Sequence, residues 1–350
     1  MRLELFTQSI PETGHAERLA RRAEAGGWDG LSLTDSQNLV GDPFVAMALG
    51  ARVTEHLQFM TGVTNPATRH PAALATAIAT VQEVSGGRAV LGIGRGDTAL
   101  FHLGRPPMRI EDFFTRIREV HAYLRGETID QHGHPSRLHW LDRAHQPAVP
   151  VDIAASGPKV IAFAARTVER VTFAVGADPD RLSWALDLAR TAMRDAGRPE
   201  ADVSFGAYVN VGCHPDHRAA RDLIRGTIAA FAHFSAMPGS TGAGLSASDR
   251  EVVAEVGRRY DSNRHLWNAA DHSSVLPDSF VERFAVVGSA DTCARRLLEL
   301  SALGLDRLVI TGPTIDADPT NARVHHQLVG DELLPTLRGS SATMDESPGH

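Results

Sequence analysis

Cysteine is nearly absent from this chain of 350 residues: Cys213 and Cys293 are the only two, and no C-x-x-C pair occurs. That excludes a disulfide framework and the commonest cysteine-based metal and redox motifs. Long apolar runs are lacking as well, each being cut by charge far short of the ~20 residues that a membrane-spanning helix needs. The opening Met1-Arg2-Leu3-Glu4 places an acid where a secretory signal carries apolar residues. Excess positive charge is missing: 35 Lys and Arg face 42 Asp and Glu, for a net charge of −7. A broad nucleic-acid or anionic-membrane surface is therefore not expected. There is also no Gly-x-Ser-x-Gly elbow and no Walker phosphate loop. What is present, 43% apolar and 22% charged residues, is ordinary for a packed globular protein. A cytoplasmic protein acting on a small molecule, with no membrane or nucleic-acid partner, is expected.

Short β-branched or apolar runs alternate with helical patterns along the chain. Strand-like runs cover 2–7, 30–34, 57–63, 89–94, 150–154, 171–175, 203–211 and 308–311. Between them lie amphipathic stretches; in 110–124, Phe113, Ile117, Val120 and Leu124 recur at spacings of three and four. Glycines at 26, 27, 126, 197 and 304 follow helical runs, as helix stops do. Strands alternating with helices demand a mostly parallel sheet. Eight such units fit an α/β fold of the closed (β/α)8 TIM-barrel type, although spacing alone also admits an open doubly wound sheet. One domain is expected over 1–338, with an insertion at about 236–283 before the last strand and a disordered tail at 339–350. A surface hairpin is expected within 127–141.

In a parallel barrel, function gathers at the carboxyl ends of the strands. Those positions hold Thr7 and Gln8, Asp35 and Ser36, Thr64 and Asn65, Arg95, Gly96 and Asp97, Ser156 and Gly157, Gly176 and Ala177, Asn210, and Gly312. Small residues there let a ligand approach the backbone, whose free N–H groups can hold carbonyl or phosphate oxygens. Gly92-Ile-Gly-Arg-Gly-Asp97 is a poor dinucleotide fingerprint, because it does not open directly into a helix. If Leu3 and Leu5 face the helices, alternation aims Glu4, Phe6 and Gln8 inward. A carboxylate in that place must be paired or protonated, with Asp97 and Arg95 as candidate partners, so Glu4 or Asp97 could hold a catalytic proton; the opposite register leaves Glu4 solvated at the barrel foot. The histidines at 132, 134 and 139, and Cys213-His-Pro-Asp-His217, match no metal-ligand spacing, and no metal is expected.

The runs Thr61-Gly-Val-Thr-Asn-Pro-Ala-Thr-Arg-His-Pro-Ala72 and Ser85-Gly-Gly-Arg-Ala-Val-Leu-Gly-Ile-Gly-Arg-Gly-Asp97 resemble the luciferase-like superfamily of flavin and deazaflavin oxidoreductases. Within it they are similar to the methylenetetrahydromethanopterin-reductase-like branch, which uses coenzyme F420. Ala154-Ala-Ser-Gly-Pro158, Val175-Gly-Ala-Asp178 and Phe284-Ala-Val-Val-Gly-Ser289 extend the likeness over roughly 1–335. The resemblance implies a TIM barrel, a homodimer, and a non-prolyl cis peptide in a third-strand bulge, falling at Gly62-Val63, that backs the deazaflavin ring. It also implies that Asp35 and Ser36 border the ring, that Thr61, Gly62, Val63, Thr64 and Asn65 line it, and that Gly94, Arg95 and Gly96 sit near it. Ala155, Ser156, Gly157, Gly176 and Ala177 would receive the phosphate arm, and Glu4 and Asp97 match acidic residues near the active site. Ser36 stands where the sugar-phosphate and alcohol dehydrogenases of the superfamily carry histidine, which argues against their alcohol oxidation here. The implied activity is F420-dependent hydride transfer between the deazaflavin C5 and a small organic substrate, with reduction of a C=N or C=C bond. The alternatives are an FMN-dependent two-component monooxygenase and a non-catalytic flavin-binding protein.

Overall fold

A computed structural model describes residues 2–237 and 242–345. Its main strands are β1 (Glu4–Ser9), β2 (Gly30–Leu33), β3 (Gln58–Thr61), β4 (Ala89–Ile93), β5 (Val151–Ala155), β6 (Arg170–Phe173), β7 (Ser204–Cys213) and β8 (Arg307–Thr311). Each overlaps one of the eight runs in the sequence pattern. They pair in the order β7-β8-β1-β2-β3-β4-β5-β6, and β6 pairs back onto β7, which closes a ring of eight. Registers such as Glu4↔Arg307, Leu31↔Phe59, Leu91↔Val151 and Tyr208↔Val309 are parallel. The fold is a (β/α)8 barrel. Strands β2 and β4 are buried at every residue, as parallel strands covered on both faces must be, and this is why they read as continuous apolar runs.

Helix starts follow a repeated local rule. Asp42 and Asp178 accept backbone N–H bonds at the head of Pro43–Ala51 and Pro179–Asp195, each with proline in the first turn. Pro71–Ser85 likewise starts on proline and stops at Gly86, whose φ of 67° only glycine adopts freely.

The chain divides into two compact units. The unit formed by 8–154 and 163–171 packs its helices over Phe59, Leu74, Ile78, Phe113 and Ile117, all inaccessible to solvent. It carries the expected hairpin, Ile129–Gln131 against His134–Ser136. The other unit, formed by 1–7, 155–162 and 172–350, holds the insertion. There the helices Arg225–Ala236, Ala247–Arg259 and Asp278–Phe284 bury a core of their own around Ile228, Val253, Val256 and Phe280. A short strand, Val286–Gly288, pairs with β7 outside the ring. The expected disordered tail meets the helix Leu334–Asp345 over its first residues; 346–350 lie outside the described residues, as do 238–241 of the Gly/Ser-rich stretch. No helix among the described residues is long and apolar enough to cross a membrane.

Candidate functional site

The carboxyl ends of β2, β3 and β4 build a cradle largely out of backbone. Past Thr61 the chain bulges through a cis Gly62-Val63 peptide, at the position that the motif implies. Three bonds fix the bulge: Gly62 N–H donates to Leu33 O (2.6 Å), Gln8 Nε2 donates to Gly62 O (2.8 Å), and Thr61 Oγ1 donates to Gly92 O (2.7 Å). A Cβ on Gly62 would stand 2.0 Å from Ser32 Oγ, and one on Gly92 1.9 Å from Thr61 O. Gly92 is therefore closed to any side chain, and Gly62 admits one only if the Ser32 hydroxyl moves away. Gly96 has φ +79°, and a Cβ there would crowd Leu100 and Asn65. Asn65 Oδ1 accepts the N–H groups of Ala67 and Thr68, both at 3.1 Å, which holds the loop after the bulge in a tight turn.

Asp35 leaves β2 buried, with 4% of its surface exposed. Its Oδ2 accepts Thr64 Oγ1 at 2.6 Å and Arg69 Nη1, and its Oδ1 accepts Gln37 Nε2 at 2.9 Å. Arg69 also donates to Asp42 Oδ2 at 2.9 Å and lies over the Phe44 ring, 4.9 Å from its centroid. Burial opposes the Arg69 charge, but Asp35 and Asp42 outweigh it and raise its pKa. A buried carboxylate is tolerable with a partner and this many donors. Ser36 is buried beside Asp35.

At the end of β4, Arg95 donates through Nε and Nη2 to Met108 O (3.0 and 2.8 Å). Burial lowers its pKa, with Asp97 and Glu111 pulling the other way. Asp97 is half-buried at the head of the short helix Thr98–Phe101, with Thr98 Oγ1 3.4 Å from its Oδ2. A half-buried carboxylate at a strand's carboxyl end can take up or release a proton.

Glu4 lies elsewhere. It is the first residue of β1, at the amino end of the strand, where its Oε2 is 3.7 Å from Nη1 of the fully buried Arg307. Arg307 also donates to Ser204 Oγ (3.1 Å) and Thr172 Oγ1 (2.9 Å). Glu4 is paired, but with Arg307 at the barrel foot and not with the expected Asp97 or Arg95, because it begins its strand instead of standing at the rim, where a proton donor would have to be. A pair at that end of the barrel serves stability.

In the other unit, Ala174 N–H donates to Ala155 O at 2.9 Å, and Gly157 O accepts Ile161 N–H at 3.0 Å as the helix Pro158–Thr167 begins. Ser156 Oγ is 3.5 Å from Phe234 O, on the insertion helix. Gly176, at φ +86°, starts a turn whose next residue, Ala177, donates to Phe284 O at 2.9 Å. Farther along the insertion, His233 stacks on Tyr260 at 3.8 Å, and Tyr260 leans on His272 at 4.4 Å. Among the described residues, no group of three or more His, Cys, Asp or Glu could hold a metal.

The model of the family described as luciferase-like monooxygenase matches residues 4–307. The chain belongs to that family. The chain is also similar to curated enzymes, two of which follow. The 5,10-methylenetetrahydromethanopterin reductase of Archaeoglobus fulgidus is 28% identical over 327 residues, covering 92% of this chain and 95% of the relative. The F420-dependent glucose-6-phosphate dehydrogenase of Microbacterium testaceum is 27% identical over 304 residues, covering 83% and 81%. Among solved structures, the coenzyme F420 dependent tetrahydromethanopterin reductase from Methanopyrus kandleri superposes with a TM-score of 0.74 at 23% identity, over 96% of this chain and all of that one. That likeness is one of fold. Three residues of this luciferase-like chain matter more than their sequence suggests. Gln8 pins the bulge, Arg69 holds Asp35, and Asn210, inaccessible near the end of β7, has a carboxamide with no partner on either atom. Gln8 and Asn210 could be found from their strand-end positions, and Arg69 from its place in the Thr61–Ala72 run.

Proposed function

We propose that the chain is an F420-dependent oxidoreductase that reduces a C=N or C=C bond of a small organic substrate. The observation that carries this reading is the hydrogen-bonded cis Gly62-Val63 bulge past β3, next to the cluster that buried Asp35 and Thr64 form with Arg69. Gly62, Gly92 and Gly96 let the strand ends pack this closely, since a Cβ on any of them would collide with Ser32, Thr61 or Leu100. The donor set fits a deazaflavin: Thr64 and Asp35 offer polar edges, and Val63 gives an apolar backing. Thr61, Asn65, Ser36, Gly94 and Arg95 complete this set, while Ala155, Ser156, Gly157, Gly176 and Ala177 are the proposed holders of the phosphate arm. When bound, the deazaflavin supplies a hydride at C5, chemistry that the side chains cannot do themselves.

The protein's own share is position and a proton. The hydrogen-bonded bulge would give the ring a rigid surface to rest on, and the clamp of Arg69, Thr64 and Gln37 keeps Asp35 from moving away. Asp97 is the proposed proton group. Glu4, engaged with Arg307, has a structural role. The half-buried rings of His233 and Tyr260 on the insertion are the proposed substrate surface. A homodimer belongs to the same reading, and analytical ultracentrifugation tests it.

Fluorescence titration of the purified protein with oxidised F420 and with FMN tests the assignment. Saturable F420 binding, with FMN ignored, is the expected result. Preference for FMN would turn the reading toward a two-component monooxygenase; monooxygenases are named among the solved structures of like fold. Binding of neither would end it.

A further inference from the structure

Cys213 and Cys293 are the only cysteines in the chain and lie about 80 residues apart in sequence, yet the fold brings them together. Cys213 is the last residue of β7, and its partner across the ladder is Gly288 of the edge strand. Cys293 belongs to the helix Ala290–Ser301, which follows that strand. Its Sγ is 3.6 Å from Gly288 O and 3.9 Å from Gly212 O. One carbonyl belongs to the ladder partner of Cys213 and the other to its chain neighbour, so the Cys293 sulfur is seated against Cys213 from two sides. Both side chains are inaccessible to solvent.

The two thiols are not equivalent. Cys293 S–H donates to the Cys213 sulfur, which lowers the Cys213 pKa although burial and Glu332 oppose the shift. The same bond, together with burial, raises the Cys293 pKa against the pull of Arg296. A thiolate is the form that attacks an oxidant, so Cys213 is the sulfur that reacts first. One buried cysteine would be ordinary, because it packs as a small apolar residue. A contact between the only two is harder to attribute to packing.

Placement gives the contact its consequence. The helices Arg225–Ala236, Ala247–Arg259 and Asp278–Phe284 of the insertion all lie between the two cysteines in the chain. We propose that Cys213 and Cys293 are a reversible dithiol pair that hydrogen peroxide closes into a disulfide across the base of the insertion. Peroxide is scarcely larger than water and suits a sealed pair, which a bulky disulfide oxidant does not reach.

In the first step the Cys213 sulfur attacks one peroxide oxygen. The O–O bond breaks, an S–O bond forms, and the thiol proton leaves with the other oxygen as water. The Cys293 sulfur then attacks the Cys213 sulfur. An S–S bond forms, the S–O bond breaks, and the hydroxyl departs with the Cys293 proton as a second water. Two electrons have passed from the sulfurs to the peroxide, and a dithiol reductant returns them.

The test treats the purified chain with hydrogen peroxide and follows its intact mass, its free thiols counted in denaturant, and its thermal midpoint. The expected product has lost two hydrogens, shows no free thiol, and runs as a single chain on a non-reducing gel. Its midpoint should rise by several degrees, because a cross-link that closes a long loop restrains the unfolded chain, and dithiothreitol should reverse every change. Under the same treatment Cys293→Ala should gain oxygen at Cys213, captured by dimedone, without any rise. Two thiols that survive a dose already converting methionine to sulfoxide would overturn the proposal. So would oxygen added to both sulfurs without a bridge, a bridge between chains, or an internal bridge that leaves the midpoint unchanged. If Cys293→Ala does not fold, the mass and thiol count of the wild type decide alone.

Discussion

At the scale of the residue, Gly62 is where one atom decides most. An added Cβ would stand 2.0 Å from Ser32 Oγ, whereas the Ser32 Cβ is 3.2 Å away. Gly62→Ala is therefore expected to cost about 1–3 kcal/mol through overpacking and to weaken deazaflavin binding. Adding Ser32→Ala removes the offending oxygen and should recover most of both. Chemical denaturation and ligand titration of the two variants check this; an unrescued double mutant would mean that the hydroxyl is not the obstacle. Asp97 can be tested with less disturbance, because it is half-buried and its side chain caps nothing. Asp97→Asn should lower kcat by about 10²-fold or more, the scale of general acid catalysis, while leaving F420 affinity nearly unchanged. An unaltered turnover rate would remove Asp97 from the chemistry.

At the scale of the element, the helix Pro319–Leu328 is tied to the end of β7 through His325, whose Nδ1 accepts Cys213 N–H at 3.0 Å. Burial, with His326 and His214 nearby, depresses its pKa to about 3. In the unfolded chain a histidine titrates near 6.5. Below that value the unfolded state binds a proton that the folded state refuses. The contribution of His325 is therefore intact above pH 6.5 and lost as pH falls from 6.5 toward 3. Between pH 6.5 and 5 the loss is about 2 kcal/mol, and a His325→Gln protein should lack this part of the slope in urea unfolding at the two pH values. The elements also show where sequence reading succeeds. The ring strands are legible chiefly where burial on both faces demands apolar runs, as in β2 and β4, and less so in β1, whose Glu4, Thr7, Gln8 and Ser9 are only partly buried. The frame of a strand is less legible: alternation says that Glu4 faces inward, but only the pairing with Arg307 places it at the foot. The edge strand Val286–Gly288 hides inside a family motif.

At the scale of the whole molecule, the cofactor reading has a thermodynamic consequence. A ligand that binds only the folded chain stabilises it by an amount set by its concentration relative to Kd. At a hundredfold excess this is about 2.7 kcal/mol. Saturating oxidised F420 should therefore raise the thermal midpoint in a concentration-dependent way, and FMN at the same concentration should not. Scanning calorimetry across a titration reads both.

The proposed coenzyme cradle is made chiefly of glycine and main chain, whereas the insertion stands on an apolar core of its own around Ile228, Val253, Val256 and Phe280. The two parts are therefore exposed to change very unequally. Nearly every substitution at Gly62 or Gly92 collides with backbone or a neighbouring side chain, so selection can only keep those sites as they are. Residues facing outward from the insertion core can drift without touching the cradle. A lineage built on this chain could trade substrates repeatedly while inheriting one coenzyme, and a saturation library would show the same split as two territories, one frozen and one permissive.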